Sequence, residues 1–297
     1  MVPPNGVPNE VPGGLVLADG GWEAVLLPGH GAAFARLACD GIEVLVPLPL
    51  GADPNASFAG AFLMAPWTNR LDGGRLPVGG TVYRLPINRP IDDTAIHGLV
   101  RDAAWEVQEA ASARAVLTQA GDATAIGVPW RWQARLEVGL DAAGLAIALT
   151  LTNRGDMPFP FGCGWHPFFL RPSGTRLRFA ATTRFARDAR TLPIAAQPCD
   201  GLDGDEAIYE GLDTPFAGWD GVAEILRPDL ALRLVARGAW AGNLQVFAPA
   251  GSAILCVEPV SHVPDAPNRP DFARFGPLAL LAPGESLDAA LRIARNG

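Results

Sequence analysis

The chain has 297 residues, 49% of them hydrophobic and 18% charged, enough apolar material for a large buried core. Its 31 acidic side chains outnumber 23 basic ones for a net charge of -8, and every basic residue is an arginine. That balance excludes a general nucleic-acid binder, which needs a basic stripe against phosphates, and the missing lysine excludes Schiff-base, P-loop and kinase-type chemistry.

In chain order, residues 1–12 are rich in Pro, Gly and Asn and read as a flexible lead-in without the basic start and apolar centre of a signal peptide. Residues 13–297 read as one domain, since no linker or fixed-period repeat interrupts them. Pro28-Gly29-His30 marks a turn. An apolar segment at 61–65 leads to Asn69 and Arg70, and His97 with Gly98 precedes a strand around Trp105. Residues 109–120 are alanine-rich and carry a weak helix signal, limited by Thr118 and Gly121.

From there the period of two dominates. Trp132, Ala134, Leu136 and Val138 alternate with polar residues, and after Asp141 to Gly144 the residues Leu145, Ile147, Leu149 and Leu151 alternate again. Leu232 and Leu234, then 244–247 and 252–257, read as further strands. Pro283-Gly284-Glu285 is a turn before Leu287, Ala289, Leu291 and Ile293. Pro and Gly punctuate the chain roughly every 8 to 12 residues, as in an all-β sandwich of two broad antiparallel sheets.

Four cysteines, at 39, 163, 199 and 256, show no CxxC and no zinc-ligand spacing, and read as reduced thiols of a cytoplasmic protein. No apolar run approaches the ~20 residues of a membrane span, so no membrane partner is expected. HExxH, GxSxG and strand-linked GxGxxG patterns are missing, which leaves a cofactor-free reaction on a small neutral polyol.

The histidines number four: His30, His97, His166 and His262. His166 lies in an aromatic, glycine-flexed segment, 161–169, whose rings suit the C–H face of a sugar; the competing reading is a satisfied histidine in a hydrophobic corner. Glu258 ends an apolar run, where desolvation raises its pKa and makes it a better base. Pro167 and Pro259 hold His166 and Glu258 on extended backbone, a way to fix an acid and a base on opposite sides of a ligand. Arg70 either pairs with a surface carboxylate or donates its planar fork into a pocket. His262 follows the Glu258 segment with no role assigned to it.

Taken together, the segments at 27–31, 41–45, 69–75 and 83–88, then His97-Gly98, Gly164-Trp165-His166-Pro167, Leu212-Asp213, Leu244-Gln245, Glu258-Pro259 and Pro264 to Asn268 resemble the aldose 1-epimerase (galactose mutarotase) family, in order and over nearly the whole chain. The resemblance implies a galactose mutarotase-like β-supersandwich of large twisted antiparallel sheets. It implies an isomerase that interconverts the α and β anomers of a free aldose without metal or coenzyme. On that resemblance Glu258 takes the proton from O1 and His166 protonates the ring oxygen O5. His97, Arg70, Asn69, Asp213 and Gln245 bind the sugar.

Departures from the family pattern are Ala65-Pro66-Trp67 ahead of Asn69-Arg70, where the best-known members carry a glycine-arginine pair, and a single Gly98 after His97, where they often have two glycines. Trp67 and Trp165 are either stacking platforms or core residues. The alternatives are a hexose-6-phosphate 1-epimerase, with Arg75 and Arg101 as possible hydrogen-bond donors to the phosphate, and a non-catalytic sugar-binding protein, which would not require both Glu258 and His166.

Overall fold

Alternation at period two becomes antiparallel pairing in the computed structural model, which describes residues 13–296; the expected lead-in at 1–12 lies outside the described residues. In the strand Arg131–Asp141, Trp132, Ala134, Leu136, Val138 and Leu140 are buried, and the polar residues between them face out. It pairs with Gly144–Asn153 across a turn closed by the Asp141 carboxylate, which accepts from the backbone N–H groups of Ala143 (2.7 Å) and Gly144 (3.1 Å). Ser286–Arg295 lies on the other side of Gly144–Asn153 and sets Leu291 against Ile147.

Residues 109–120 are not helical; they fall in the strands Glu106–Ala110 and Arg114–Asp122 and the turn at 111–113 that joins them. The reason is tertiary. Ala115 and Leu117 enter the core, and pairing along Arg131–Asp141 overrides the helix preference of alanine.

Nine strands form one large sheet, in the order Glu106–Ala110, Arg114–Asp122, Arg131–Asp141, Gly144–Asn153, Ser286–Arg295, Ala231–Gly238, Val222–Leu226, Arg176–Phe179, Leu202–Gly204. The second, 12-stranded sheet runs Leu15–Asp19, Trp22–Leu27, Ala33–Cys39, Ala61–Met64, Gly164–Pro167, Ile254–Val260, Asn243–Phe247, Asp213–Ala217, Thr183–Arg187, Pro193–Pro198, with two short strands off this path. Neighbours are antiparallel, and one core cluster takes Leu136 and Ile147 from the first sheet and Leu63, Trp165, Leu244 and Val257 from the second. The fold is all-β, as the alternation predicts.

The centre of the 12-stranded sheet is covered on both faces. Ile254–Val260 is buried along almost its whole length. Leu255 and Val257 join the main core, whereas Cys256 and Val260 join a second cluster with Phe62, Met64 and Phe168. Alternation sends His166, Gln245 and Glu258 to that second face, because Trp165, Leu244 and Val257 point the other way.

Candidate active site

Gly164–Pro167 pairs with Ala61–Met64, opposing His166 to Phe62, and meets Ile254–Val260 through Gly164 and Val260. His166 and Glu258 therefore converge from adjacent strands, with Nε2 3.3 Å from Oε1. Only 7% of His166 and 1% of Glu258 is exposed. Phe62 stacks on the imidazole at 4.7 Å between ring centres, and Phe168 tilts against it at 4.6 Å.

Burial pushes the Glu258 carboxyl well above its ordinary range; the Asp213 carboxylate adds to this and the Arg70 guanidinium counters it. Burial drives His166 the other way, down to about 3, with the charges of Arg101 and Arg70 adding. Both shifts favour a carboxylic acid beside a neutral imidazole. That state and its carboxylate–imidazolium tautomer contain the same single proton, so the two groups act as one coupled acid–base unit. Glu258 Oε2 and His166 Nδ1 are buried without hydrogen-bond partners. Such atoms are costly unless water or a ligand supplies the missing bonds.

One sequence expectation changes here. The pair does not flank a ligand from opposite sides, since a 3.3 Å contact leaves no room for a sugar ring between them; they stand side by side. The imidazole is far from an unperturbed histidine, because Phe62 and Phe168 replace its water.

The remaining sequence-nominated residues gather around this pair. Arg70–Asp72 pairs with Thr94–Ile96, and the His97 N–H donates to the Asn69 carbonyl at 3.0 Å. Gly98 then crosses Ala65 so closely that a Cβ would lie 2.1 Å from the Ala65 oxygen. His97 meets His166 edge-on at 5.2 Å, and its Nδ1 lies 2.9 Å from Met64 Sδ. Burial first, then the charges of His166 and Arg101, hold His97 well below the usual imidazole range.

Arg70 is buried, and its Nε donates to Asp92 Oδ2 at 3.0 Å. Of its two readings, the surface pair is therefore excluded. Asn69 Oδ1 accepts from the Arg70 backbone N–H at 2.9 Å and from its Nη1 at 3.4 Å. Gln245 stands opposite Glu258 in the pairing of Asn243–Phe247 with Ile254–Val260. Its Nε2 donates to Asp213 Oδ1 at 2.6 Å, and Asp213 Oδ2 in turn pairs with Arg187 Nη1 at 2.8 Å.

Trp67 and Trp165 are core residues rather than platforms: both are buried, Trp67 stacks on Trp130 at 5.4 Å, and Trp165 packs edge-on against Phe34. The aromatic walls of the site are Phe62 and Phe168 instead. Phe62 gave a signal that could have been read, since Phe62 and Met64 share one face of their strand. Arg101 and Arg75, paired in the sequence reading, separate in space. Arg75 is bound to Asp72, whereas Arg101 lies over Phe62 at 5.3 Å with its Nε buried and without a hydrogen-bond partner. Its carboxylate contact is Asp102 Oδ1 at 3.5 Å.

Two residues brace the site from behind. Asp265 accepts from the Asp72 N–H at 3.0 Å, and its own N–H donates to the Arg70 carbonyl at 3.0 Å. His262 is fully buried, and its Nε2 accepts the Thr68 N–H at 2.9 Å, so Nδ1 carries the proton and donates to the Val263 carbonyl at 2.9 Å. Gly162 makes room for that ring, because a Cβ there would lie 2.3 Å from it. His262→Ala is expected to destabilise the protein by about 2–4 kcal/mol, from a cavity and an orphaned N–H. Urea unfolding of both proteins measures this; an unchanged midpoint would deny the brace.

The pattern of the Aldose 1-epimerase family matches residues 15–294. YphB, an uncharacterized protein of Escherichia coli K12, is 29% identical over 253 residues, covering 80% of this chain and 84% of YphB. A galactose mutarotase-like protein from Clostridium acetobutylicum superposes with a TM-score of 0.84 at 19% identity, over 95% of this chain and 94% of that one. A galactose 1-epimerase from Lactobacillus acidophilus gives 0.71 at 17% identity, over 94% and 93%. At those identities the structural likeness speaks to the fold. With the family match spanning both large sheets and every residue of the buried cluster, the chain belongs to the aldose 1-epimerase family.

Proposed function

We propose that the protein is an aldose 1-epimerase acting on a free aldose, with Glu258 and His166 as the proton-transfer pair. The observation that carries this is their 3.3 Å contact in a buried site, with one polar atom on each that has no protein hydrogen-bond partner. In the ring form of an aldose, O1 and O5 are bonded to the same carbon. Two side-by-side groups sharing one proton suit two such neighbouring oxygens.

Ring opening removes the O1 proton to one partner, delivers the other partner's proton to O5, and breaks the C1–O5 bond as the C1–O1 carbonyl forms. The pair still holds one proton afterwards, now on the opposite partner. With Glu258 as the base, the reacting tautomer is carboxylate–imidazolium, and opening leaves the carboxylic acid and neutral imidazole that burial favours. Rotation about C1–C2 and reclosure by the reverse transfer invert the anomeric centre. Sugar hydroxyls supply the hydrogen bonds that let the charged tautomer form in this buried place. Arg70, His97, Asn69, Asp213 and Gln245 orient the ring.

Exchange NMR between anomers over a panel of aldoses, with the uncatalysed rate subtracted, tests this reading. Enhanced exchange for at least one sugar is expected, and none for any would remove it. A second reading, epimerisation of a hexose 6-phosphate, is favoured by the Arg101 guanidinium beside Phe62, whose Nε makes no hydrogen bond and only a 3.5 Å contact to Asp102. On that reading glucose 6-phosphate exchanges faster than glucose, and Arg101→Met lowers its kcat/KM by about 10- to 100-fold through a lost charge-assisted bond. Faster exchange of glucose than of its 6-phosphate excludes it.

A further inference from the structure

We propose that Cys256, His166 and Glu258 form a binding site for a thiophilic divalent cation of the Zn2+ type, and that the cation closes the catalytic pair to sugar. The inhibitory half rests on the epimerase reading above; the binding half does not. Cys256 and Glu258 are two residues apart on one strand and so share a face. One donor atom from each, with one from His166, lies within 4.8 Å of the other two, and all three residues are buried.

The His166 Nε2 to Glu258 Oε1 distance of 3.3 Å is about the edge of a tetrahedron built on metal–nitrogen and metal–oxygen bonds of about 2.0–2.2 Å. The sulfur lies within 4.8 Å of both atoms and must move closer to them to take the third corner. Glu258 Oε2, buried and unpartnered, adds an accessible lone pair. A sulfur, an imidazole nitrogen and a carboxylate oxygen select zinc-like ions over magnesium or calcium, which prefer all-oxygen shells. Three protein donors leave the fourth corner for water.

The spacing of the cysteines hid this set, because its members come from two neighbouring strands rather than one motif. The proton-transfer chemistry gives Cys256 no task, and the apolar cluster around it would accept any small hydrophobe. Binding exchanges protons for metal. The thiol proton and the single proton of the Glu258–His166 pair leave to solvent as the thiolate, carboxylate and imidazole lone pairs bond to the cation. With both groups held, neither can serve O1 or O5.

Titration with Co2+, a spectroscopic stand-in for Zn2+, tests the binding half on the full-length protein. A thiolate-to-cobalt absorption saturating at one equivalent, displaced by Zn2+, is expected. In Cys256→Ala the band should vanish, and Zn2+ should bind at least about tenfold more weakly, as loss of a direct ligand demands. Cys256→Ser, of nearly native shape, repeats the measurement if the alanine variant does not fold. Absence of the band in the parent protein, or a band of equal strength in parent and variant, overturns the site. For the inhibitory half, Zn2+ should suppress anomer exchange at the occupancy read from cobalt displacement, with chelator restoring it. Binding without suppression overturns inhibition alone. A cobalt band in a protein that exchanges no sugar supports the site and sinks the epimerase reading instead.

Discussion

Glu258→Gln is expected to slow catalysed anomer exchange by about 10²–10⁴-fold, the usual worth of one general acid or base. The amide matches the carboxyl in shape and cannot take or give the proton. The site already favours an uncharged Glu258, so the amide adds no desolvation penalty and the fold should stand unchanged. Gln245 and Asp213 keep their own bond at 2.6 Å, so sugar affinity should stay within about tenfold of the parent, the worth of one hydrogen bond. Exchange NMR at saturating sugar gives the rate, and calorimetric titration gives the affinity. Full activity in this variant removes the base assignment.

His166→Asn is expected to cost a similar factor in turnover, with a small additional loss of stability. Asparagine cannot relay a proton, and the lost stacking on Phe62 and Phe168 removes about 0.5–1.5 kcal/mol per ring pair. A collapsed circular dichroism spectrum would make His166 structural instead. Because the pair holds one proton between two sites, the variants should not compound. Glu258→Gln combined with His166→Asn should be about as slow as either alone, as for other residues that act as a unit. Multiplicative losses would mean two independent roles.

Much of this was legible in the residues. Trp132 to Leu140 and Leu145 to Leu151 announce their strands because one face is buried and the other wet. Arg114–Asp122 resisted, because alanine's preference points to helix and only its pairing with Arg131–Asp141 decides otherwise. The candidate site residues were nominated by segments matching a known family, and the structure gathers them around the His166–Glu258 pair rather than on a single sheet face. What sequence could not carry was distance. Whether His166 and Glu258 face each other across a ligand or touch depends on which strands become neighbours, and the Gly164–Val260 pairing is not written locally. The depressed imidazole follows from the same fact, since Phe62 lies more than a hundred positions upstream of the ring it covers.

Register along Ile254–Val260 has a consequence for how this chain can vary. Odd positions there belong to the packed interior and even ones to the reactive side, with no wet surface to absorb a mistake. One residue added or removed just ahead of Val257 would bury the Glu258 carboxylate among Leu63 and Trp165 and turn Val257 toward the imidazole. Insertions and deletions must therefore collect in the turns at either end, while substitutions on this strand stay confined to their own side.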